Sequence, residues 1–211
     1  MSRYEPQGRY DRRDVLRAGC GLTAVLAASR ALAQVDPTPI GTVEEIRGEA
    51  HAETNGARRM LQVKGWVFVG DLLATGSNAR LVLKLGPATT IKLGGESRLR
   101  IDRYLAETGG EFNMLAGHMQ FERKGKPVSE GITFRSAYGL MAVRGTRFYA
   151  GPNRGTFAVL VGEGVLEVTA AQRSVMVRAQ EGIDIKAPGQ APTAPARWAA
   201  PRIREMLSNF S

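Results

Sequence analysis

The sequence predicts an all-β chain: an antiparallel β meander folded as a sandwich-like or short β-solenoid domain, with a short helix at the C-terminus. Two observations carry this. From Ile40 to Lys186 apolar residues recur with a period of two rather than 3.6. The short apolar runs are separated by Gly-containing turn signals at regular spacing. The composition, 43% hydrophobic and 23% charged, is that of a globular chain with enough apolar residues for a core.

Taken in order, residues 1–33 read as an export leader. Asp11-Arg12-Arg13-Asp14-Val15-Leu16-Arg17 resembles a twin-arginine export signal, and Ala18 to Ser29 form a mild apolar segment. That segment is shorter than the roughly 20 residues a bilayer span requires. Ala31-Leu32-Ala33 supplies the small-x-small cleavage pattern, which places the mature start near Gln34. The arginine pair Arg12 and Arg13, with Ala31 and Ala33, is therefore the expected address. It sends the chain to the periplasm or outside the cell, and the mature chain is expected not to span a membrane. Cys20, the only cysteine, lies inside this leader, so no intrachain disulfide is expected.

The expected β domain covers 40–186. Leu81, Leu83 and Leu85 alternate with polar or small partners, and Gly86-Pro87 ends the run. Ile91 and Leu93 precede the Gly94-Gly95 turn, and Leu99 and Ile101 follow it. Phe112 and Met114, Met119 and Phe121, and Ile132 and Phe134 continue the pattern. Phe157, Val159 and Val161 run into Gly162-Glu163-Gly164, and the pairs Val175/Val177 and Ile183/Ile185 close it. Ten to twelve strands are expected, each with one wet and one buried face. Residues 187–200 are Ala/Pro-rich and read as an extended linker. In 201–211, Ile203, Met206, Leu207 and Phe210 fall at i, i+3, i+4 and i+7, the stripe of a short amphipathic helix.

Two blocks stand out. Gly70-Asp71 lies between apolar runs and suits a tight turn in which an aspartate side chain replaces a backbone partner. Thr75-Gly76-Ser77-Asn78 forms a second turn before the Leu81 strand. In Arg144-Gly145-Thr146-Arg147-Phe148, glycine permits a positive φ and a bulge that bends the strand, and Arg144 is expected to tie the bend to a neighbour. These blocks resemble those of the FecR domain family. Val69 to Leu81 is similar to its G-D-x-I-x-T-G-x-x-A-x-L block, Ala142 to Phe148 to its V-R-G-T-x-F block, and Thr156 to Val168 to the hairpin after it. The resemblance implies a FecR-type β domain in which Gly70, Asp71, Thr75, Gly76, Arg144, Gly145, Thr146 and Phe148 are structural. Membrane-bound members of that family are iron-signalling transducers with a cytoplasmic sigma-factor-binding segment and a transmembrane helix. This chain resembles only their periplasmic module.

Catalytic signatures are missing from the sequence. His51 and His118 have no second ligand at metal spacing, and no serine lies in a G-x-S-x-G or S-x-x-K context. The carboxylates, such as Glu44-Glu45, Glu122 and Glu163, are scattered, and no pair of them is singled out as catalytic. No cofactor, no metal and no enzymatic activity are expected. The net charge of +9 is spread without runs and lacks any nucleic-acid-binding pattern. A protein partner in the cell envelope is the expected ligand. Peptidoglycan or polysaccharide is the alternative, suggested by the charge and by Trp66, Tyr104 and Tyr138, expected to be exposed.

Overall fold

In the computed structural model the described residues are 38–125 and 128–210; the leader residues Arg12, Arg13, Ala31 and Ala33 lie outside them. Sixteen strands form one hydrogen-bonded sheet. Two long strands organise it: β12 (Gly139–Asn153) and β13 (Thr156–Ala170) make an antiparallel hairpin. Its ladder shifts register between Arg144 and Phe148, and there the outer partners change on both sides. Before the shift β12 pairs with β11 (Gly131–Ser136), and after it with β10 (Met119–Arg123). Likewise β13 pairs first with β15 (Glu181–Ile185) and then with β14 (Arg173–Arg178).

The shift divides the sheet into two halves that share β12 and β13. The first half continues from β11 through β9 (Gly109–Ala116), β8 (Arg98–Leu105), β5 (Leu72–Thr75) and β2 (Ala50–Thr54) to β3 (Ala57–Met60). The second continues from β10 through β7 (Thr89–Leu93), β6 (Arg80–Leu85) and β1 (Pro39–Arg47) to β4 (Trp66–Phe68). The sheet does not close, although its end strands β3 and β4 are consecutive in the chain. Side chains alternate as the period-two pattern requires: β6 reads intermediate, buried, intermediate, buried along its length.

The inward residues of both halves form one core. Phe112 and Phe134 of the first half stack at 4.8 Å. Phe134 meets Phe121 and Phe148 of the second half edge-on, at 5.1 and 5.4 Å between centroids. Such tilted contacts suit the ring quadrupoles.

Three expectations are corrected. The sheet is mixed, because β9 and β11 run parallel from Gly131 opposite Gly109 to Ser136 opposite Met114. It is not a simple meander, since the chain passes repeatedly between halves. It also has more strands than ten to twelve: β3, β4 and the two-residue β16 (Ala196–Arg197) are too short to show alternation. The pairing traces one open sheet; it does not resolve into two separately paired sheets or into repeating coils.

After β15 the chain stays on the sheet. The Thr193 amide donates to the Asp184 carbonyl, β16 pairs with β15, and helix α1 (Ala200–Leu207) leads into a 3-10 turn, Ser208–Phe210. Among the described residues no helix is long and apolar enough to cross a membrane.

Candidate interaction site

The sequence motifs fold into two separate structural joints. At the first, Gly70 has φ 88° and its amide donates to the Ile101 carbonyl at 2.7 Å. This positive φ is one that a side chain would strain. The turn buries Asp71 completely. Its carboxylate accepts from the Phe68 amide at 2.9 Å, from the Thr54 hydroxyl and from the Arg59 guanidinium. Asp71 thus ties β2, β3 and β4 together at the open ends of the sheet, with a hydrogen bond for each direction in which its charge is desolvated. Arg59 also donates to the Trp66 carbonyl at 3.1 Å and lies over the Phe68 ring. Thr75 is nearly buried, donating to the Gly94 carbonyl at 2.6 Å and accepting from the Ser97 amide at 2.9 Å. The Gly76 amide donates to the Glu49 carbonyl, and its own carbonyl accepts from Ala79 and Glu96.

The second joint is the bend in the long hairpin. Gly145 has φ 58° and Gly164, across the ladder, φ 80°. The Thr146 hydroxyl donates to the Val165 carbonyl at 2.8 Å. Phe148, two residues on, is fully buried in the aromatic cluster. Arg147 reaches across to pair with Glu163. The backbone of Arg144 enters the bulge, while its side chain lies outside the described residues. Because the partner strand changes here, a cleft of about 500 Å³ opens beside the bend, with Arg123, Glu130, Thr133 and Glu167 among its lining.

The two histidines lie apart from one another. His51 hydrogen-bonds Arg58, and burial with the charges of Arg58 and Arg98 lowers its pKa. His118 sits elsewhere, its ring against the Pro152 carbonyl at 2.8 Å. Among the described residues no group of three His, Cys, Asp or Glu is placed to hold a metal ion.

What the molecule offers instead is surface. Met60, Val63, Trp66 and Val69 are exposed by 57, 54, 56 and 42%. They fall within residues 60–69, which run from the last residue of β3 through the connection and β4 to the residue after it. Of the three aromatics expected to be exposed, Trp66 is, and Tyr104 and Tyr138 are not. Tyr104 is buried and donates to the Leu85 carbonyl at 2.8 Å, and Tyr138 stacks on Phe157 at 4.6 Å. Met60, Val63 and Val69 were missed because 60–69 lacks a clean period; two turns cut it into pieces.

Also missed was the anchoring of the C-terminal segment. Arg202 donates twice to Asp184, at 3.0 and 2.5 Å, and once to Asn153, with Trp198 stacked on its guanidinium at 3.7 Å. Arg154 donates to Glu205 at 2.7 Å. Met206 is fully buried, and Phe210 meets Tyr149 at 5.8 Å. The apolar stripe predicted a packed helix but could not name its ionic seat, whose members lie far apart in the chain.

No curated protein matches this chain. Among solved structures, it is similar to two crystal structures, at 1.65 and 2.50 Å, of a protein from Parabacteroides distasonis titled "putative anti-sigma factor", with a TM-score of 0.55 and 15% identity in each case. The match covers 64% of this chain in both, and 64% and 63% of the two solved chains, a likeness of fold over about two thirds of each. Residues 71–167, from the buried Asp71 through the bent hairpin, match the family model described as FecR protein.

Proposed function

We propose that this chain is a non-enzymatic protein-binding module in a regulatory or signalling system, acting in the periplasm after export by its leader. The observation that carries this is the exposure of Met60, Val63, Trp66 and Val69 within one ten-residue stretch. Four large apolar side chains exposed within ten residues are a common mark of a protein contact, and aromatic and Met side chains are enriched at such interfaces. The other exposed large apolar residues, Leu105, Leu115 and Met176, are scattered over separate strands. The FecR match over 71–167 supports the regulatory setting, as does the fold likeness to an anti-sigma-factor candidate.

Affinity capture tests the reading. The chain without its leader, used as bait in an envelope extract, should return a protein that a Trp66→Lys bait does not. Equal recovery by both baits refutes it. Export is tested by fractionation: the tagged full chain should reach the periplasm, and an Arg12→Lys/Arg13→Lys variant should stay inside the cell.

A further inference from the structure

The chain treats the outer faces of its two sheet halves differently. On the second half, Ala158 and Leu160 alternate outward from the core positions Val159 and Val161, yet both are buried. They are covered by the C-terminal segment: Asp184, paired with Arg202, is opposite Ala158, and Gly182, against the Trp198 ring, is opposite Leu160. On the first half, most outward strand positions are exposed or half-buried, Leu72 and Ala74 of β5 being buried, and arginines are among the exposed ones.

Register places these arginines together. Leu72 of β5 is opposite Arg100 of β8, Arg100 is opposite Asn113 of β9, and Asn113 is beside Arg135 of β11. Arg98 lies two residues before Arg100 on the same face, opposite Ala74. Arg98, Arg100 and Arg135 are all exposed. None has a carboxylate partner among the described residues, whereas Arg47, Arg59, Arg103, Arg147, Arg154 and Arg202 each hold one. The carboxylates on this face are Glu53, Asp102, Glu111 and Glu167, with Glu96 beside Arg98; Glu111 is taken by Arg103, and Asp102, two residues beyond Arg100 on β8, forms no ion pair with it. Strand geometry puts Arg98 and Arg100 about 6.7 Å apart and Arg100 and Arg135 about 9.5 Å apart. The strand positions of this face contain no lysine; Lys84 and Lys92 belong to the second half. Arginines interleaved with the half-buried Asn113 and Leu140 have the mixed character of a protein interface, and guanidinium suits bidentate recognition of carboxylate.

We propose that Arg98, Arg100 and Arg135 form a docking face for an extended acidic segment of a protein partner. In an extended chain, carboxylates two residues apart match the Arg98–Arg100 spacing, and a third reaches Arg135. The inference rests on the protein-binding reading above and names the chemistry of the partner at a second surface.

The test uses a fluorescent synthetic peptide alternating glutamate and valine, its glutamine counterpart, and heparin, with binding followed by anisotropy at low salt. The glutamate peptide should bind, weaken as salt is raised, and lose at least about tenfold affinity in an R98Q/R100Q/R135Q variant. A K64Q/K84Q/K92Q variant, equal in charge change but altered elsewhere, should lose less than about twofold. The arginine variant changes exposed residues and the lysine variant one exposed and two half-buried ones, and both should keep the wild-type melting temperature; if the arginine triple does not, the single Arg135→Gln variant should still weaken the peptide. Equal weakening in the two triple variants overturns the proposal, as does equal binding of the glutamine peptide. Heparin binding more tightly than the peptide, and lost with it in the arginine variant, assigns the face to polyanions and also overturns it. Failure of the Trp66 capture with intact arginine-dependent peptide binding falls on the 60–69 stretch; the reverse result falls on this face alone.

Discussion

The hydroxyl of Thr146 donates to the carbonyl of Val165 across the bend of the long hairpin, at 2.8 Å. Where two strands bulge, the ladder loses a backbone pair, and a side chain must take its place. Thr146 does this from an almost fully buried position. The same bend sets Gly145 and Gly164 against each other, and their environments differ. A Cβ on Gly145 would meet nothing within 4 Å, while one on Gly164 would collide with the Gly145 carbonyl oxygen and crowd Thr146. Gly145→Ala should therefore cost only the left-handed backbone penalty, about 1–2 kcal/mol. Gly164→Ala should cost distinctly more, about 3 kcal/mol or loss of folding, because backbone atoms must move as well. Urea unfolding of the two variants checks the order, and equal losses would show that the close approach is not rigid.

Asp71 is the other buried joint. Its carboxylate is fully enclosed, and three donors from three chain segments converge on it. Replacing it with alanine leaves the Phe68 amide and the Thr54 hydroxyl without their acceptor and frees Arg59, which is partly exposed. The expected loss is about 3 kcal/mol, chiefly the desolvation of the abandoned donors. Arg59→Ala should cost less, since the carboxylate keeps two donors. Denaturant melts of both variants give the comparison.

Phe134 joins the two halves of the core, touching Phe112 on its own half and Phe121 and Phe148 on the other. Phe134→Ala should destabilise by about 3–5 kcal/mol, the range for a large aromatic removed from a close-packed core. A calorimetric melt that shifts by only a degree or two would mean that the halves are held by backbone pairing rather than by this cluster.

The parts of this molecule that were legible in the sequence are those governed by local rules. Alternation along Leu81, Leu83 and Leu85 marks a strand because a pleat has only two sides. Gly70 and Gly145 mark sharp backbone because few other residues accept a positive φ cheaply. Pairing is a different matter. That β9 runs parallel to β11, or that β12 swaps β11 for β10 at the Gly145 bend, depends on segments meeting across the chain, and no window of sequence contains both members. The arginine face was hidden for the same reason. Arg98 and Arg100 are visible as neighbours, but Arg135 joins them only through the β8–β9–β11 register. Tyr104 illustrates the converse error: a tyrosine on a strand reads as exposed until its hydroxyl is found bonded to the Leu85 carbonyl inside the core.

The C-terminal segment is held by two ion pairs as well as by Met206, Phe210 and the β16 pairing, and the ionic part of its attachment is sensitive to acid. Burial by itself would raise the Asp184 carboxyl, but hydrogen bonds from Arg202 and Thr156 outweigh it and hold the group below its ordinary value. The hydrogen bond from Arg154 lowers Glu205 in the same sense. A carboxyl depressed in the folded state stabilises that state above its unfolded pKa, and the contribution disappears as pH falls through the folded value. The attachment should therefore weaken as pH falls below the ordinary carboxylate range, while the core, built on apolar side chains, stays paired. The chain has two tryptophans, Trp66 and Trp198. In a Trp66→Phe background, Trp198 fluorescence reports the Arg202 stack alone. It should shift on acidification before the strand circular dichroism changes, and Asp184→Asn should show the shifted signal already at neutral pH. Gly182→Ala supplies a pH-independent comparison. A methyl group there would run into the Trp198 indole, so the ring must leave and Arg202 loses its stacking partner at every pH. If Trp198 emission in the Gly182→Ala variant matches the wild type, the indole does not seat on β15 beside Gly182, and the stack on Arg202 is not what its fluorescence reports.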